Sequence, residues 1–226
     1  AEILLEANPD SAYILLNEVK TPDRLNERQF ARWCMLYCRA ADKLFKDMLY
    51  TEQLDRALVW YKSHGAAEQQ AWMGLYLGRS YVKDKLFIPA MKAYSDALSL
   101  AKEKYLYDVA GYICSYMADL YTYTGQRSEE RRKFEEAAEF FKQAGNERSY
   151  AFALRDVAKT WAFDDSLSLA LHYMLIADSV ITRFQDLRGI SSISNGLGNI
   201  YDLMGDVEKA RAYYSRSLSS DTMDQV

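Results

Sequence analysis

The stretch Leu77–Tyr81, with the sequence LGRSY, is followed by Ala90 and Tyr94. The stretch Leu197–Tyr201, with the sequence LGNIY, repeats it 120 residues later, and an alanine and a tyrosine again follow at the same distances. Two further copies of the pattern lie between them. The four segments align without gaps, 40 residues apart, and begin at Ala71, Gly111, Ala151 and Ser191. A recurrence at a fixed period indicates an array of structural repeats.

Three positions, numbered from the start of each segment, carry the pattern. Position 8 is small in all four segments: Gly78, Ala118, Ala158 and Gly198. Position 11 is aromatic: Tyr81, Tyr121, Trp161 and Tyr201. Position 24 is large: Tyr94, Phe134, Met174 and Tyr214. Positions 4, 7, 8 and 11 share one face of a helix, and positions 20, 24 and 27 share one face of a second helix. Each segment therefore predicts a pair of packed helices, with the small residue allowing a close approach.

A fifth segment fits upstream in the same phase, from Ala31, with Thr51 as a helix N-cap. Before it, Pro9 suits the first turn of a helix that we expect over Asp10–Val19. The prediction is one array over residues 1–226, in which residues 1–30 cap the N-terminal end.

The LGxxY pattern followed by alanine and an aromatic residue resembles the tetratricopeptide repeat (TPR) family. The resemblance implies an all-α fold, an α-solenoid of stacked antiparallel helix pairs in a right-handed superhelix. The usual TPR period is about 34 residues, so the longer units here imply longer helices. The proline common near position 32 is replaced by Lys102 and Lys142. Long-period TPR proteins include bacterial regulatory and membrane-tethered members. A non-repetitive helical bundle is the alternative that the gapless pattern disfavours.

The resemblance also implies a binding surface, because the first helix of each TPR pair lines a concave groove through positions 2, 5, 6, 9, 12 and 13. The candidate peptide- or protein-binding residues are Trp72, Tyr76, Arg79, Tyr112, Tyr116, Asp119, Phe152, Arg155, Lys159, Asn195 and Asn199. Aromatic residues with nearby arginine are typical of binding hot spots. Asn195 and Asn199 lie four residues apart, and their amides can hydrogen-bond a peptide backbone.

Other interpretations of these residues stay open. Trp72 and Phe152 can be core residues that pack against the preceding repeat. Arg79 and Lys159 can be paired with neighbouring aspartates, as surface charges often are. The TPR subtype that binds C-terminal carboxylates needs lysine at position 5 and asparagine at position 9. The first two segments offer Met35 with Arg39, or Leu75 with Arg79, so that subtype is excluded.

No set of residues predicts chemistry, so we expect no enzyme, no cofactor and no metal. The cysteines fall at packing positions 4 and 8: Cys34, Cys38 and Cys114. His64, followed by Gly65, suits a helix C-terminus, and His172 is expected to be exposed. Three other segments have a structural interpretation. Asp164–Ser166 is predicted to cap a helix, and Ser128–Glu136 is predicted to form a solvated helix face. Gly189–Gly198 lacks the spacing of a phosphate-binding loop.

The 226 residues carry a formal net charge of −4 with both signs mixed, which argues against nucleic acid as the partner. The sequence contains no apolar run of about 18 residues, so it predicts no membrane span. The chain begins with Ala1 rather than methionine, which leans toward an extracytoplasmic, membrane-tethered protein, with a cytoplasmic one as the alternative.

The last helix is expected over Asp206–Ser219, with Tyr213 and Leu218 able to cover a further element. Either the chain continues there or this end forms a homodimer. The predicted function is a protein–protein interaction module, and the alternative is a regulatory sensor that relays binding to a downstream effector segment.

Overall fold

The computed structural model describes the backbone of residues 1–224 and the side chains of residues 1–220. Within this part of the chain the ordered elements are twelve α-helices and one 3₁₀ turn, with no strand. The predicted all-α fold class is confirmed. The sequence supplies the reason, because apolar residues recur at helical spacing and proline occurs only three times.

Four helices precede the regular part of the chain: α1 Leu4–Ala7, α2 Pro9–Asn17, α3 Glu27–Lys43 and α4 Thr51–His64. The 3₁₀ turn Pro22–Arg24 joins α2 to α3. Pro9 is the first residue of α2, as predicted, but the helix ends at Asn17 rather than Val19. Thr51 is not an N-cap. It is the first residue of α4, and the preceding Tyr50 has no capping side-chain hydrogen bond.

Eight helices of 17 or 18 residues follow. They are α5 Ala67–Lys83, α6 Phe87–Glu103, α7 Tyr107–Thr124, α8 Arg127–Ala144, α9 Glu147–Phe163, α10 Leu167–Arg183, α11 Leu187–Leu203 and α12 Val207–Asp224. The first helices of the pairs, α5, α7, α9 and α11, each begin 40 residues after the one before. The pairs thus have longer helices than the usual TPR period of about 34 residues would allow, as the 40-residue spacing predicts.

The chain forms two compact units, Ala1–Val109 and Ala110–Val226. In the first unit α3 packs against α2 and α4, and α5 packs against α4 and α6. In the second unit α9 packs against α8 and α10, and α11 packs against α10 and α12. The single array over residues 1–226 stays a prediction.

The small residue at position 8 accepts a ring from the second helix of its own pair. A Cβ on Gly78 would lie 2.3 Å from the ring of Tyr94, and a Cβ on Gly198 would lie 2.5 Å from the ring of Tyr214. Both contacts are closer than real Cβ atoms allow, so the two backbones are as near as glycine permits. The two helices of each of these pairs therefore approach closely at position 8, as predicted.

The turns after the first helices share one left-handed residue. The residues at position 15 all have positive φ: Phe45, Lys85, Gly125, Asp165 and Gly205. The next N–H bonds back across the turn, as from Leu86 to the Tyr81 carbonyl at 2.8 Å. This bond satisfies a carbonyl that the helix end leaves without a partner. The capping role predicted for Asp164–Ser166 is wrong, because Ser166 makes no capping side-chain bond and Asp165 is the left-handed turn residue.

The charge run Ser128–Glu136 is not a solvated face throughout. Lys133 is only 6% exposed and pairs with Glu136 at 2.8 Å. The guanidinium of Arg131 lies 3.7 Å from the centroid of the Trp161 ring and donates to Asp164 at 2.6 Å. Long basic side chains cover apolar surface with their stems, so the helical charge pattern alone does not reveal which of them are buried.

All three cysteine thiols are buried and form no disulfide. Burial raises the pKa of the Cys34 thiol, and it raises that of Cys38 to about 12. His64 ends α4, where its Nδ1 lies 3.1 Å from the Trp60 carbonyl oxygen. Gly65 follows, but its φ of −96° is not left-handed, so the glycine serves close packing against Tyr61 instead.

The last helix extends beyond its predicted end, over Val207–Asp224. Ser217 is buried and donates to the Ser191 carbonyl at 2.9 Å. Tyr213 stacks on Tyr201 with ring centroids 5.5 Å apart, so its ring contacts the preceding helix rather than a further element. Leu218 is 67% exposed.

Candidate binding face of the first helices

We call positions 2, 5, 6 and 9 of the first helices α3, α5, α7, α9 and α11 the binding face. In α7 and α9 all four positions are half-buried or exposed, whereas α3, α5 and α11 bury some of them: Met35, Leu75, Tyr76 and Gly196. Helix α9 shows the pattern. Its buried residues are Ala151, Ala153, Leu154, Val157, Ala158 and Thr160. Phe152, Arg155 and Asp156 lie between them half-buried, and Lys159 is exposed. The positions against neighbouring helices are apolar or small, so the binding face is where polar side chains collect.

In the first unit the binding face of α5 is aromatic and largely packed. Trp72 is half-buried and stacks on Tyr76 with centroids 5.8 Å apart. Tyr76 is only 2% exposed, and burial raises its pKa well above the ordinary value. Arg79 pairs with Asp42, and both side chains are mostly covered. Tyr76 therefore supports Trp72 from beneath, and its own ring presents almost no surface.

The binding face of α3 contacts the N-terminal segment. Arg32 pairs with Glu2, and Arg39 pairs with Glu6 at 3.2 Å. Lys43 also pairs with Glu6, and this hydrogen bond lowers the pKa of the Glu6 carboxyl. These pairs join residues at least 30 positions apart and lie outside the repeat pattern, so the sequence analysis did not find them. All five side chains remain partly exposed, so each pair contributes little stability.

In the second unit the binding face begins on α7. Tyr112 packs edge-on against Phe141 with centroids 4.9 Å apart, and its hydroxyl hydrogen-bonds with Ser149 at 3.0 Å. Tyr112 is therefore held by its neighbours. Tyr116 is half-buried and Asp119 is exposed.

A basic and aromatic cluster forms the part of this face on α9. The ring of Phe152 lies between the guanidinium groups of Arg148 and Arg155, at 5.0 and 4.8 Å from its centroid. Arg155 donates twice to Asp156, both at 2.9 Å, and once to Ser192 on α11 at 2.9 Å. This arrangement fixes a guanidinium beside an aromatic ring.

Two exposed asparagines continue the face on α11. Asn195 is exposed, and within the described residues its side chain makes no hydrogen bond. Asn199 accepts from the Tyr214 hydroxyl at 2.8 Å, which orients its amide. Lys159 is half exposed and pairs with Asp156 at 3.1 Å. Five of the candidate residues thus lie on α9 and α11 of the second unit: Phe152, Arg155, Lys159, Asn195 and Asn199.

Sequence reasoning missed Arg148 and undervalued Ser192 and Asp156 in this cluster. Arg148 was missed because α9 begins at Glu147, four residues before the aligned segment. Ser192 and Asp156 occupy positions 2 and 6, and that placement was the available signal. Their role depends on the partner Arg155, which periodicity does not reveal.

The binding face presents hydrogen-bonding side chains, charged groups and aromatic rings. Among the described residues no group of three or more His, Cys, Asp or Glu side chains could hold a metal ion. Of the helices that the structure describes, none is both long and apolar enough to span a membrane.

Neither protein-family models nor curated proteins show a match to this chain. Several solved structures do match it. BtubC from P. vanneervenii is 16% identical with a TM-score of 0.73, and the match covers 98% of this chain and 92% of that one. The TPR-like repeats of a putative kinesin light chain from Podospora anserina are 13% identical with a TM-score of 0.62, over 92% of this chain and 99% of that one.

A third similar structure is a Rap protein complexed with Competence and Sporulation Factor. It is 16% identical with a TM-score of 0.64, and the match covers all of this chain and 64% of the Rap protein. At such identities the likeness concerns the fold. Together with the recurring position 8 and position 24 contacts, it shows that the chain has a TPR-like helical-repeat fold.

Proposed function

We propose that this protein is an interaction module that binds a peptide or protein segment on the binding face. The observation that carries the proposal is the cluster on α9 and α11, where Arg155 is held over Phe152 by Asp156 and Ser192. A guanidinium fixed in advance loses little conformational entropy when a ligand binds. Arginine beside an aromatic ring is also the composition of binding hot spots.

The surrounding side chains suit an extended segment of polypeptide. The exposed amide of Asn195 can both donate to and accept from a peptide group, and Asn199 is oriented for the same task by Tyr214. Lys159 adds an exposed positive charge beside them. The Rap protein of similar fold was solved in complex with Competence and Sporulation Factor, which supports a binding role for this fold here.

The burial and contacts of the predicted residues support a smaller set of proposed partner contacts. In the second unit the proposed contacts are Phe152, Arg155, Lys159, Asn195 and Asn199. Trp72, Arg79, Tyr116 and Asp119 remain candidates, whereas Tyr76 and Tyr112 are proposed to support the face. The regulatory sensor shares this surface and adds a relay to an effector segment, and it stays a prediction. The homodimer through the C-terminal end gains no support from the structure or from the similar proteins.

The test is selection of binding peptides from a displayed random library, followed by affinity measurements on variants. Arg155→Ala and the double variant Lys159→Ala with Asn195→Ala should each weaken the selected peptides about tenfold or more. The matched control is Lys142→Ala with His172→Ala, two exposed residues outside the binding face. Equal affinity for wild type and Arg155→Ala would place the binding surface elsewhere.

A further inference from the structure

A cleft in the first unit lies between α4 and α6, the second helices of two successive pairs, and α5 forms its floor. Its volume is about 280 Å³. Gly74 and Tyr81 lie on the floor and Ala93 lies on the α6 wall. The floor positions are 4, 7 and 11 of α5, so the cleft is separate from the binding face.

The cleft exists because one position of the repeat is unusually small here. Position 23 is Ala93, and elsewhere it is Gln53, Lys133, Tyr173 and Tyr213. Gly74 on the floor has a different role, since a Cβ there would lie 2.9 Å from the Cβ of Ala97, so glycine lets α5 and α6 pack closely. The opening over Tyr81 follows from the small side chain of Ala93.

The second unit shows the same place filled by an aromatic ring. Tyr213 at position 23 stacks on Tyr201 at position 11, with centroids 5.5 Å apart and planes at 9°. In the preceding pair, Trp161 and Tyr173 at these two positions both pack against the core. Tyr81 is the position 11 ring of the first unit, and Ala93 supplies no ring to lie over it. The cleft therefore lies where the pair α11 and α12 places an aromatic side chain.

Charges of both signs surround this opening. Asp55 and Lys62 lie on α4, seven residues and about 10 Å apart along the helix axis. Long side chains on a helix lean toward its N-terminus, and Asp55 lies on that side of Lys62. Within the described part of the chain neither residue forms an ion pair. On α6, Lys92 and Asp96 pair with each other at 2.9 Å.

We propose that the cleft binds a free aromatic amino acid. Its ring stacks on Tyr81 as Tyr213 stacks on Tyr201, its α-carboxylate accepts from Lys62, and its α-ammonium donates to Asp55. Ligand pockets commonly measure about 300–1,000 Å³. The cleft, at about 280 Å³, lies just below this range and suits a ligand of amino-acid size. A zwitterion matches a rim that carries both signs, whereas a purely apolar ligand would leave both charges unused.

The first experiment is isothermal titration calorimetry of the wild-type chain with L-tryptophan and three analogues. L-Tryptophan should bind with a dissociation constant of roughly a millimolar or tighter. Tryptamine lacks the carboxylate and indole-3-propionate lacks the ammonium, so each should bind about tenfold more weakly. The absence of binding by L-tryptophan at millimolar concentrations overturns the proposal. Equal binding of N-acetyl-tryptophanamide also overturns it and points to an aromatic side chain of a partner protein.

The second experiment uses variants of the cleft. Ala93→Tyr copies the filled arrangement of Tyr213 and should abolish binding while circular dichroism stays unchanged. Lys62→Met should weaken binding about tenfold, whereas Lys142→Met, at the same repeat position on α8, should have no effect. If Ala93→Tyr does not fold, the two lysine variants still decide. Equal affinities of Lys62→Met, Lys142→Met and wild type would contradict the assigned carboxylate contact.

Discussion

At the scale of the residue, the contact between Gly198 and the ring of Tyr214 sets the spacing of α11 and α12. Alanine raises helix propensity by about 1 kcal/mol relative to glycine. Here, however, the added methyl group would lie 2.5 Å from ring atoms, and overpacking costs about 1–3 kcal/mol. We therefore expect Gly198→Ala to lower the free energy of unfolding by up to about 2 kcal/mol in urea titrations.

A variant that removes the Tyr214 ring is the control for Gly198→Ala. In the double variant Gly198→Ala with Tyr214→Leu the clash is removed, so the two losses should not add. Additive losses would show that the methyl group is accommodated without touching the ring.

Asp186 gives a second residue-scale prediction, with a defined dependence on pH. It caps α11 by accepting from the Gly189 N–H at 3.0 Å, and it also pairs with Arg148. Burial raises the pKa of its carboxyl, but the Gly189 N–H and Arg148 outweigh this and leave the pKa below the ordinary 3.8. A lowered folded-state pKa adds stability above the unfolded value, and this is lost as the pH falls through the folded pKa.

Two substitutions separate the cap from the ion pair. Asp186→Ala should cost about 1 kcal/mol through loss of the cap. Asp186→Asn keeps the cap and should cost about 0.5 kcal/mol at pH 7. This difference from wild type should begin to shrink near pH 3.8 and disappear once the pH is below the lowered folded-state pKa. Unfolding curves at several pH values measure this. A difference between Asp186→Asn and wild type that persists at the lowest pH contradicts the role of the charge.

At the scale of the element, the first helix of every pair is followed by a turn residue in the left-handed conformation, whatever side chain that residue carries. Gly205 has a φ of +79°, and a Cβ there would meet nothing within 4 Å. Any cost of Gly205→Ala therefore comes from the backbone conformation alone, which is about 1 kcal/mol for a non-glycine residue. We expect a loss of that size in thermal or urea unfolding.

Lys85 tests the same turn in the opposite direction, because its φ is +59° at the equivalent position. Lys85→Gly should be neutral or stabilising, since the relief of strain offsets the greater entropy of unfolded glycine. If both substitutions destabilise equally, the left-handed conformation is not the controlling factor.

At the scale of the whole molecule, the fold was predictable because helix pairs repeat their packing residues at fixed positions, as Gly78 with Tyr94 shows. The ends of helices were less predictable. Thr51 and Ser166 have capping side chains but do not cap, whereas Asn146 and Asp186 do. A cap depends on where a helix begins, and neighbouring packing shifts that point by a few residues.

The candidate binding residues were assigned by position only, and their role in binding stays a prediction. Their positions came from the resemblance to TPR proteins, and Lys159 and Asn195 at these positions are exposed. The burial of Tyr76 and the contact of Tyr112 with Phe141 depend on side chains from other helices. The pairing of Arg32 with Glu2 joins the face to a segment outside the repeats. Such contacts arise from three-dimensional proximity, which one-dimensional spacing does not encode.

At the same scale, the three cysteines can report the opening of each unit separately, because Cys34 and Cys38 lie in the first unit and Cys114 lies in the second. All three are buried, and burial raises the thiol pKa of Cys34 and Cys38. Thiolate is the reactive form, so labelling requires a unit to open. A thiol reagent should label native protein at about 1% or less of its rate in denaturant. Mass spectrometry of each cysteine then gives the opening of each unit separately, and fast native labelling of Cys34 or Cys114 would show that the packing described for that unit is not closed.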